Sequence, residues 1–236
     1  MENESAQPNA RPAGAAGPPP RHFLFDWNGT LQDDLHAAVA GTNAILADQG
    51  RPPIDAARYR DVFSFPARGC YEALGIDVEH HDWDALCERF FSVFSADPAV
   101  RLFPGAAAAL RALRAAGATL SIVSSSEENE LERALARHGV RDLFDAVSGH
   151  ADAAAGSKIA RARAVFAALG AAPGAACVVG DTGHDKEVAD ALGCACVLVA
   201  SGYESRVRLE RRGAPVLDSV ADLPAFFGLP SGLSPS

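Results

Sequence analysis

Six short apolar runs punctuate the chain at residues 22–26, 119–124, 146–148, 176–180, 195–200 and 214–217, and the longer ones are unbroken, not alternating. An alternating run buries one face of a strand; an unbroken one predicts a strand covered on both faces. Between the later runs apolar residues recur at three- and four-residue spacing: Leu110 and Leu113, Leu131 and Leu135, and Ile159 with Val165, Phe166 and Leu169. These helical stretches stop at Gly117, Gly139 and Gly170, where a left-handed cap is wanted. Strand and helix alternate, so the connections are expected to be right-handed crossovers building an α/β fold with a doubly wound, parallel, Rossmann-like sheet. Ligands of such a sheet bind at the carboxyl ends of its strands.

Far more chain separates Asp26 from Ser124 than one crossover requires, and it reads as helices without clear strands. One helix is expected from His36 to Gln49, stopping at Gly50, with others over 67–74 and 83–94. Residues 36–102 therefore read as an inserted helical domain, with 21–35 and 103–228 as the α/β core. Leu86, Phe90, Phe91 and Phe94 are expected to form the core of that small bundle.

Composition removes several classes of function. The net charge is −9 and only two lysines occur, Lys158 and Lys186, so there is no basic stripe for nucleic acid. No run approaches the roughly 20 apolar residues that span a bilayer. The five cysteines form no Cys-x-x-Cys pair, and their odd number and apolar settings suit reduced, buried thiols and a cytoplasmic protein. Residues 1–20 and 229–236 read as loose ends with no targeting signal. A monomer and a homodimer are equally compatible with this pattern.

The chemistry gathers at the ends of the apolar runs. Phe23-Leu24-Phe25 delivers Asp26, and the chain then breaks at Gly29; a carboxylate so placed can attack phosphorus directly or ligate a metal. Val178-Val179-Gly180 delivers Asp181, with Asp185 four residues on, a spacing that sets two carboxylates on one face of a helix's first turn. With Asp26 these make a cluster that repels itself without a divalent cation, and oxygen-only donors favour Mg²⁺. Ser124 closes its strand with a hydroxyl and the amides of Ser125 and the following turn, which suit phosphoryl oxygens. Lys158 stands at a helix N-terminus, where a cation opposes the dipole unless an anion sits beside it. Thr30 can contact phosphate or orient the loop. His184, between the two acids, reads as an ordinary first-turn helix residue.

Taken in order, Asp26-Trp27-Asn28-Gly29-Thr30-Leu31, Ser124, Lys158 and Gly180-Asp181-Thr182-Gly183-His184-Asp185 resemble the haloacid dehalogenase superfamily. The resemblance implies an Mg²⁺-dependent phosphatase with Asp26 as nucleophile, the metal on Asp26, the Asn28 carbonyl, Asp181 and Asp185, and residues 36–102 as a C1-type cap. The segment 65–75 is similar to caps of phosphoglycolate phosphatase-like members, implying a small phosphorylated metabolite and Arg68 as a contact to its carboxylate. Arg68 reads equally as a solvated helix charge.

One position departs from the family pattern, which has a second aspartate as general acid and base where this chain has Asn28. An amide cannot exchange a proton at neutral pH, and losing a general acid–base typically costs about 10²- to 10⁴-fold. The chain then suits a leaving group needing little protonation, slow turnover of ordinary esters, or phosphate and Mg²⁺ binding without turnover. A phosphonatase-like reaction needs a cap lysine, and no lysine lies between Arg21 and Lys158.

Overall fold

The computed structural model describes residues 18–150 and 157–230. Its strands are β1 (His22–Phe25), β2 (Gln32–Asp33), β3 (Arg101–Leu102), β4 (Thr119–Glu127), β5 (Ala146–His150), β6 (Ala176–Gly180), β7 (Ala195–Val199) and β8 (Val216–Leu217). Four helices lie between β2 and β3: α1 (Leu35–Asp48), α2 (Ala56–Val62), α3 (Ala67–Ala73) and α4 (Trp83–Phe94). The others are α5 (Ala106–Ala115), α6 (Glu128–Arg137), α7 (Lys158–Leu169), α8 (Gly183–Leu192), α9 (Arg206–Glu210) and α10 (Leu223–Phe226). Apart from residues 18–20 and 229–230, the segments expected to be loose ends lie outside the described residues.

Six strands form one parallel sheet in the order β5-β4-β1-β6-β7-β8. β1 is central and wholly buried, which is why its sequence is His-Phe-Leu-Phe without a solvent-facing position. Phe23 and Phe25 point into one core with Leu110, Leu113, Leu131 and Leu135. Leu24 points into the other with Ala162, Val165, Phe166 and Val188. Helices thus cover both faces, as the unbroken apolar runs predict. The turn glycines Gly117, Gly139 and Gly170 all have positive φ, closing α5, α6 and α7.

Register fixes where the strands end. Phe25 lies opposite Ile122 on one side and Val179 on the other. One step further along, Asp26 donates its backbone N–H to the Val179 carbonyl at 2.9 Å. Asp26, Ser124 and Asp181 therefore emerge at one edge of the sheet, beside the point where chain connections diverge to either side of β1.

Three local expectations need correcting. β4 continues past Ser124 to Glu127, with a register shift between Val123 and Glu127, so Ser124 sits at an irregularity inside the strand and not at its end. The stretch between Asp26 and Ser124 contains strands after all: β2 and β3 pair antiparallel, bringing the two ends of the helical segment together. It also contains α2, whose N-cap Asp55 accepts a hydrogen bond from the Arg58 amide at 2.8 Å. The helices α1 to α4 share two clusters of their own, one around Ile45, Leu46, Tyr71 and Leu86 and one around Leu35, Tyr59, Phe63 and Cys70.

Candidate active site

Beyond Asp26 the chain reverses in a tight turn: the Trp27 carbonyl accepts from the amides of Thr30, Leu31 and Gln32 at 3.3, 2.9 and 3.0 Å. Trp27, 1% exposed, anchors the turn in the core. Gly29 has φ +71°, and a Cβ there would lie 2.3 Å from Asp181 Oδ2, so the turn needs glycine both for its conformation and for space.

Asp26, Asp181 and Asp185 are all buried, and each offers a carboxylate oxygen within 4.8 Å of the others. The Lys158 ammonium, itself buried, lies 2.8 Å from Asp26 Oδ1 and 2.7 Å from Asp185 Oδ1. The conflict between Lys158 and its helix terminus is thus met by two carboxylates. Asp181 does not share a helix face with Asp185: it lies between β6 and the N-cap Thr182, while Asp185 occupies the third position of α8 and closes a capping box with Thr182. Strand end and helix start converge on the site by different routes.

Each carboxylate is oriented from behind. Asp181 accepts from the Thr30 hydroxyl and from the Tyr203 amide, both at 2.7 Å. Thr30 is thereby an orienting residue whose hydroxyl proton is committed. Gly202 lets the Tyr203 loop approach, since a Cβ there would lie 2.1 Å from Asp181 Oδ2. Asp185 accepts from the Thr182 amide and hydroxyl at 3.0 and 2.8 Å.

Burial dominates the electrostatics. It pushes the Asp26 carboxyl up to about 6, with Lys158 pulling it back and Asp185 adding repulsion. Asp181 is driven well above the usual carboxylate range by burial first and then by Asp26 and Asp185. Burial pulls Lys158 down, but Asp185 and Asp26 outweigh it, and the ammonium stays charged. Three carboxylates against one ammonium leave a deficit of two positive charges. With all three ionised, a divalent cation would balance the site, and an all-oxygen donor set suits a hard ion such as Mg²⁺.

Asn28 is locked at both ends: its Oδ1 accepts from the Ser126 hydroxyl at 2.5 Å and its Nδ2 donates to Asp34 Oδ2 at 2.5 Å. Asp34 is fully buried and also accepts from the Gly29 amide at 3.1 Å and Gln32 Nε2 at 2.9 Å. Sequence reading missed it. Its place before an apolar-periodic helix marks it as the N-cap of α1, yet its side chain makes no cap bond and turns to the Asn28 loop instead.

From the other side, α2 docks on the loop that carries Tyr203. The Arg60 guanidinium donates to the carbonyls of Gly202 and Ser201 at 2.8 and 2.9 Å, and Tyr59 and Phe63 meet the Tyr203 ring edge-on. A cavity of about 660 Å³ opens between helices and sheet edge, reaching Asp26, Asn28, Ser124, Ser125 and Thr182.

The model of the haloacid dehalogenase-like hydrolases matches residues 23–199. This chain belongs to that family. A phosphoglycolate phosphatase of Synechococcus elongatus is 33% identical over 194 residues, covering 79% of this chain and 87% of its own. Among solved structures, a haloacid dehalogenase-like hydrolase of Streptococcus pneumoniae superposes with TM-score 0.73 at 19% identity, covering 88% of this chain and 98% of its own. The Mycobacterium tuberculosis protein tyrosine kinase A also gives TM-score 0.73, at 25% identity, with 90% of this chain and all of its own covered.

Of the residues singled out in this family member's sequence, Asp26, Asp181, Asp185 and Lys158 meet directly, and Asn28, Thr30, Ser124 and Ser125 surround them. Arg68 does not join them. Its guanidinium donates to the Val78 carbonyl at 2.9 Å and lies over the Trp83 ring, and it does not line the cavity. His184 pairs with Glu187 at 3.0 Å, and its ring meets that of Phe65 at a tilt. A further residue missing from the sequence reading is Arg161, which is buried and donates to the Ser124 carbonyl at 2.7 Å. Its position in the first turn of α7, close after Lys158, was the available signal. No helix among the described residues is long and apolar enough to cross a membrane.

Proposed function

We propose that the chain hydrolyses a phosphomonoester, with Asp26 as the nucleophile. One Asp26 oxygen attacks phosphorus, the ester P–O bond breaks, and water then cleaves the aspartyl-phosphate to release inorganic phosphate. The observation that carries this reading is the bridging ammonium: Lys158 contacts Asp26 at 2.8 Å, so the carboxylate is held ionised and aimed despite its burial. Ser124 Oγ accepts from the Ser126 amide at 3.1 Å, which leaves its own proton free for a phosphoryl oxygen, with Ser125 exposed beside it.

Asp26, Asp181, Asp185 and the Asn28 carbonyl would hold Mg²⁺, which when bound supplies positive charge against the phosphoryl oxygens. Residues 36–102 are read as a cap domain over a core of 21–35 and 103–228, with Arg60 tying cap to core. The phosphatase name of the Synechococcus relative makes 2-phosphoglycolate the first ester to assay. The locked Asn28 amide favours one competing reading, a fold that binds phosphate and Mg²⁺ without turnover.

Phosphate release with Mg²⁺ and with EDTA, for wild type and Asp26→Asn, separates the two. Metal-dependent release lost in Asp26→Asn is expected. Tight phosphate binding with no release from any ester would overturn hydrolysis in favour of the binding reading.

A further inference from the structure

We propose that the ester this site accepts is an aryl phosphate, its phosphate carried on a phenolic oxygen at the end of an apolar aromatic body. This rests on the nucleophilic reading of Asp26 and concerns the leaving group and what it is attached to.

The first argument is the missing proton donor. Asn28 is held at both ends by Ser126 and Asp34 and carries no exchangeable acid. The other carboxylates lining the cavity are engaged elsewhere. Glu127 caps α6 through both oxygens, Asp97 pairs with His36 at 3.3 Å, and Glu130 pairs with Arg133 at 2.6 Å. An alkyl alcohol must be protonated as it leaves, because an alkoxide is about as basic as hydroxide. A phenol, with a pKa of about 10, leaves as the phenolate without help.

The second argument is the aromatic wall of the cavity that Asp26 also lines. The cavity, at about 660 Å³, falls in the range of roughly 300–1,000 Å³ that encloses a ligand larger than a two-carbon acid. Phe63, Phe65, Trp83, Phe90, Phe91 and Phe94 line it. Three large hydrophobic side chains are exposed among the described residues, and two of them, Phe65 at 42% and Phe91 at 56%, belong to this wall. Apolar surface left uncovered in the cavity that also reaches Asp26 is surface for the body of a substrate.

Charge gives the third argument. Among the described residues the only basic side chain of the lining is Arg137, which is exposed, against Asp97, Glu127 and Glu130. A substrate bearing its own carboxylate finds no buried cation there; a neutral ring needs none.

The step balances without a further reagent. Asp26 Oδ bonds to phosphorus, the P–O(aryl) bond breaks with its electron pair on the phenolate oxygen, and the phenolate takes a proton from solvent. Water then attacks phosphorus, the P–O(Asp26) bond breaks, and the proton of that water leaves with phosphate or solvent.

The test is kcat and KM with Mg²⁺ for phenyl phosphate, benzyl phosphate and 2-phosphoglycolate, using wild type, Asp26→Asn and Phe91→Ala. Benzyl phosphate keeps the ring but leaves as an alkyl alcohol. Phenyl phosphate is expected to exceed benzyl phosphate in kcat by about 10²-fold or more at similar KM, and 2-phosphoglycolate by at least as much in kcat/KM. Phe91→Ala, at a position 56% exposed, should raise KM for both aromatic esters about tenfold, with an unchanged circular dichroism spectrum confirming that the variant is folded. Benzyl phosphate or 2-phosphoglycolate turned over as well as phenyl phosphate, in an Asp26-dependent way, would overturn the aryl assignment and leave the phosphatase reading standing. An unchanged KM in Phe91→Ala would overturn it too. Absence of Asp26-dependent release from all three esters would overturn both.

Discussion

Lys158 bridges Asp26 and Asp185, with its Nζ 2.8 Å from one carboxylate and 2.7 Å from the other, all three groups being buried. Removing one partner of a buried ionic group costs about 3–5 kcal/mol, because the remaining charges lose their compensation. Lys158→Met is therefore expected to lower thermal stability strongly in EDTA, to recover more on Mg²⁺ addition than wild type does, and to lose at least about 10²-fold in kcat. Parallel melting curves with and without Mg²⁺ check the first two expectations; equal Mg²⁺-induced shifts in the two proteins would refute the charge-compensation account.

Gly29 and Gly202 press on the same oxygen of Asp181, with Cβ atoms that would sit 2.3 and 2.1 Å from it. Gly29→Ala also forces alanine into the left-handed region, at about 1–2 kcal/mol. Both alanine variants should raise the Mg²⁺ concentration for half-maximal activity, by about tenfold or more, while the sheet stays intact by circular dichroism. A Mg²⁺ titration of phosphate release decides this, and an unshifted midpoint would show that Asp181 is no ligand.

The pair Asn28 and Asp34 makes a second carboxylate at position 28 a complicated gift. In Asn28→Asp the new acid faces Asp34 across what was a 2.5 Å hydrogen bond, and two adjacent carboxylates cannot both ionise cheaply. The double variant Asn28→Asp/Asp34→Asn swaps amide and carboxylate and keeps the contact. On benzyl phosphate at neutral pH the double variant should gain about tenfold more activity than the single one. Equal gains would mean that Asp34 has no influence on the group at position 28.

Much of this was readable in the chain. The unbroken apolar runs announce a sheet buried on both faces, and their polar last residues announce the site, because parallel register aligns strand ends whose partners are far apart in sequence. What stayed hidden has a common cause. Asp34 looks like a helix cap, Tyr203 acts through its backbone amide, and Arg60 acts across the gap between α2 and the loop after β7. None of these has a periodicity or motif, since each works through a contact that exists only after folding. Arg68 failed in the reverse direction: a cation in a plausible segment is captured by a nearby carbonyl and an indole ring.

His22 supplies a pH dependence separate from the site. Burial lowers its pKa below 6.5, with Asp145 opposing, and the ring bonds Ser121 Oγ at 2.8 Å and meets Phe166 edge-on. The unfolded chain therefore binds the proton at a higher pH than the folded one does. Stability from the neutral ring is full above about pH 6.5, declines as pH falls below it, and levels off under the folded value. Urea midpoints from about pH 7.5 to 5 should fall less steeply in His22→Gln than in wild type. Parallel slopes would contradict this.

Thr30 and Asp181 meet although 151 positions separate them in the chain, and Tyr203 closes on Asp181 from 22 positions further on. During synthesis Asp26 is made long before Lys158, Asp181 and Tyr203, the residues that surround it in the folded chain. A nascent chain carrying Asp26 alone has a carboxylate in water with nothing to make it reactive. The cluster around Asp26 is complete only with the strand ending at Gly180 paired beside β1 and the Tyr203 amide on Asp181, so all of it depends on contacts between distant parts of the chain.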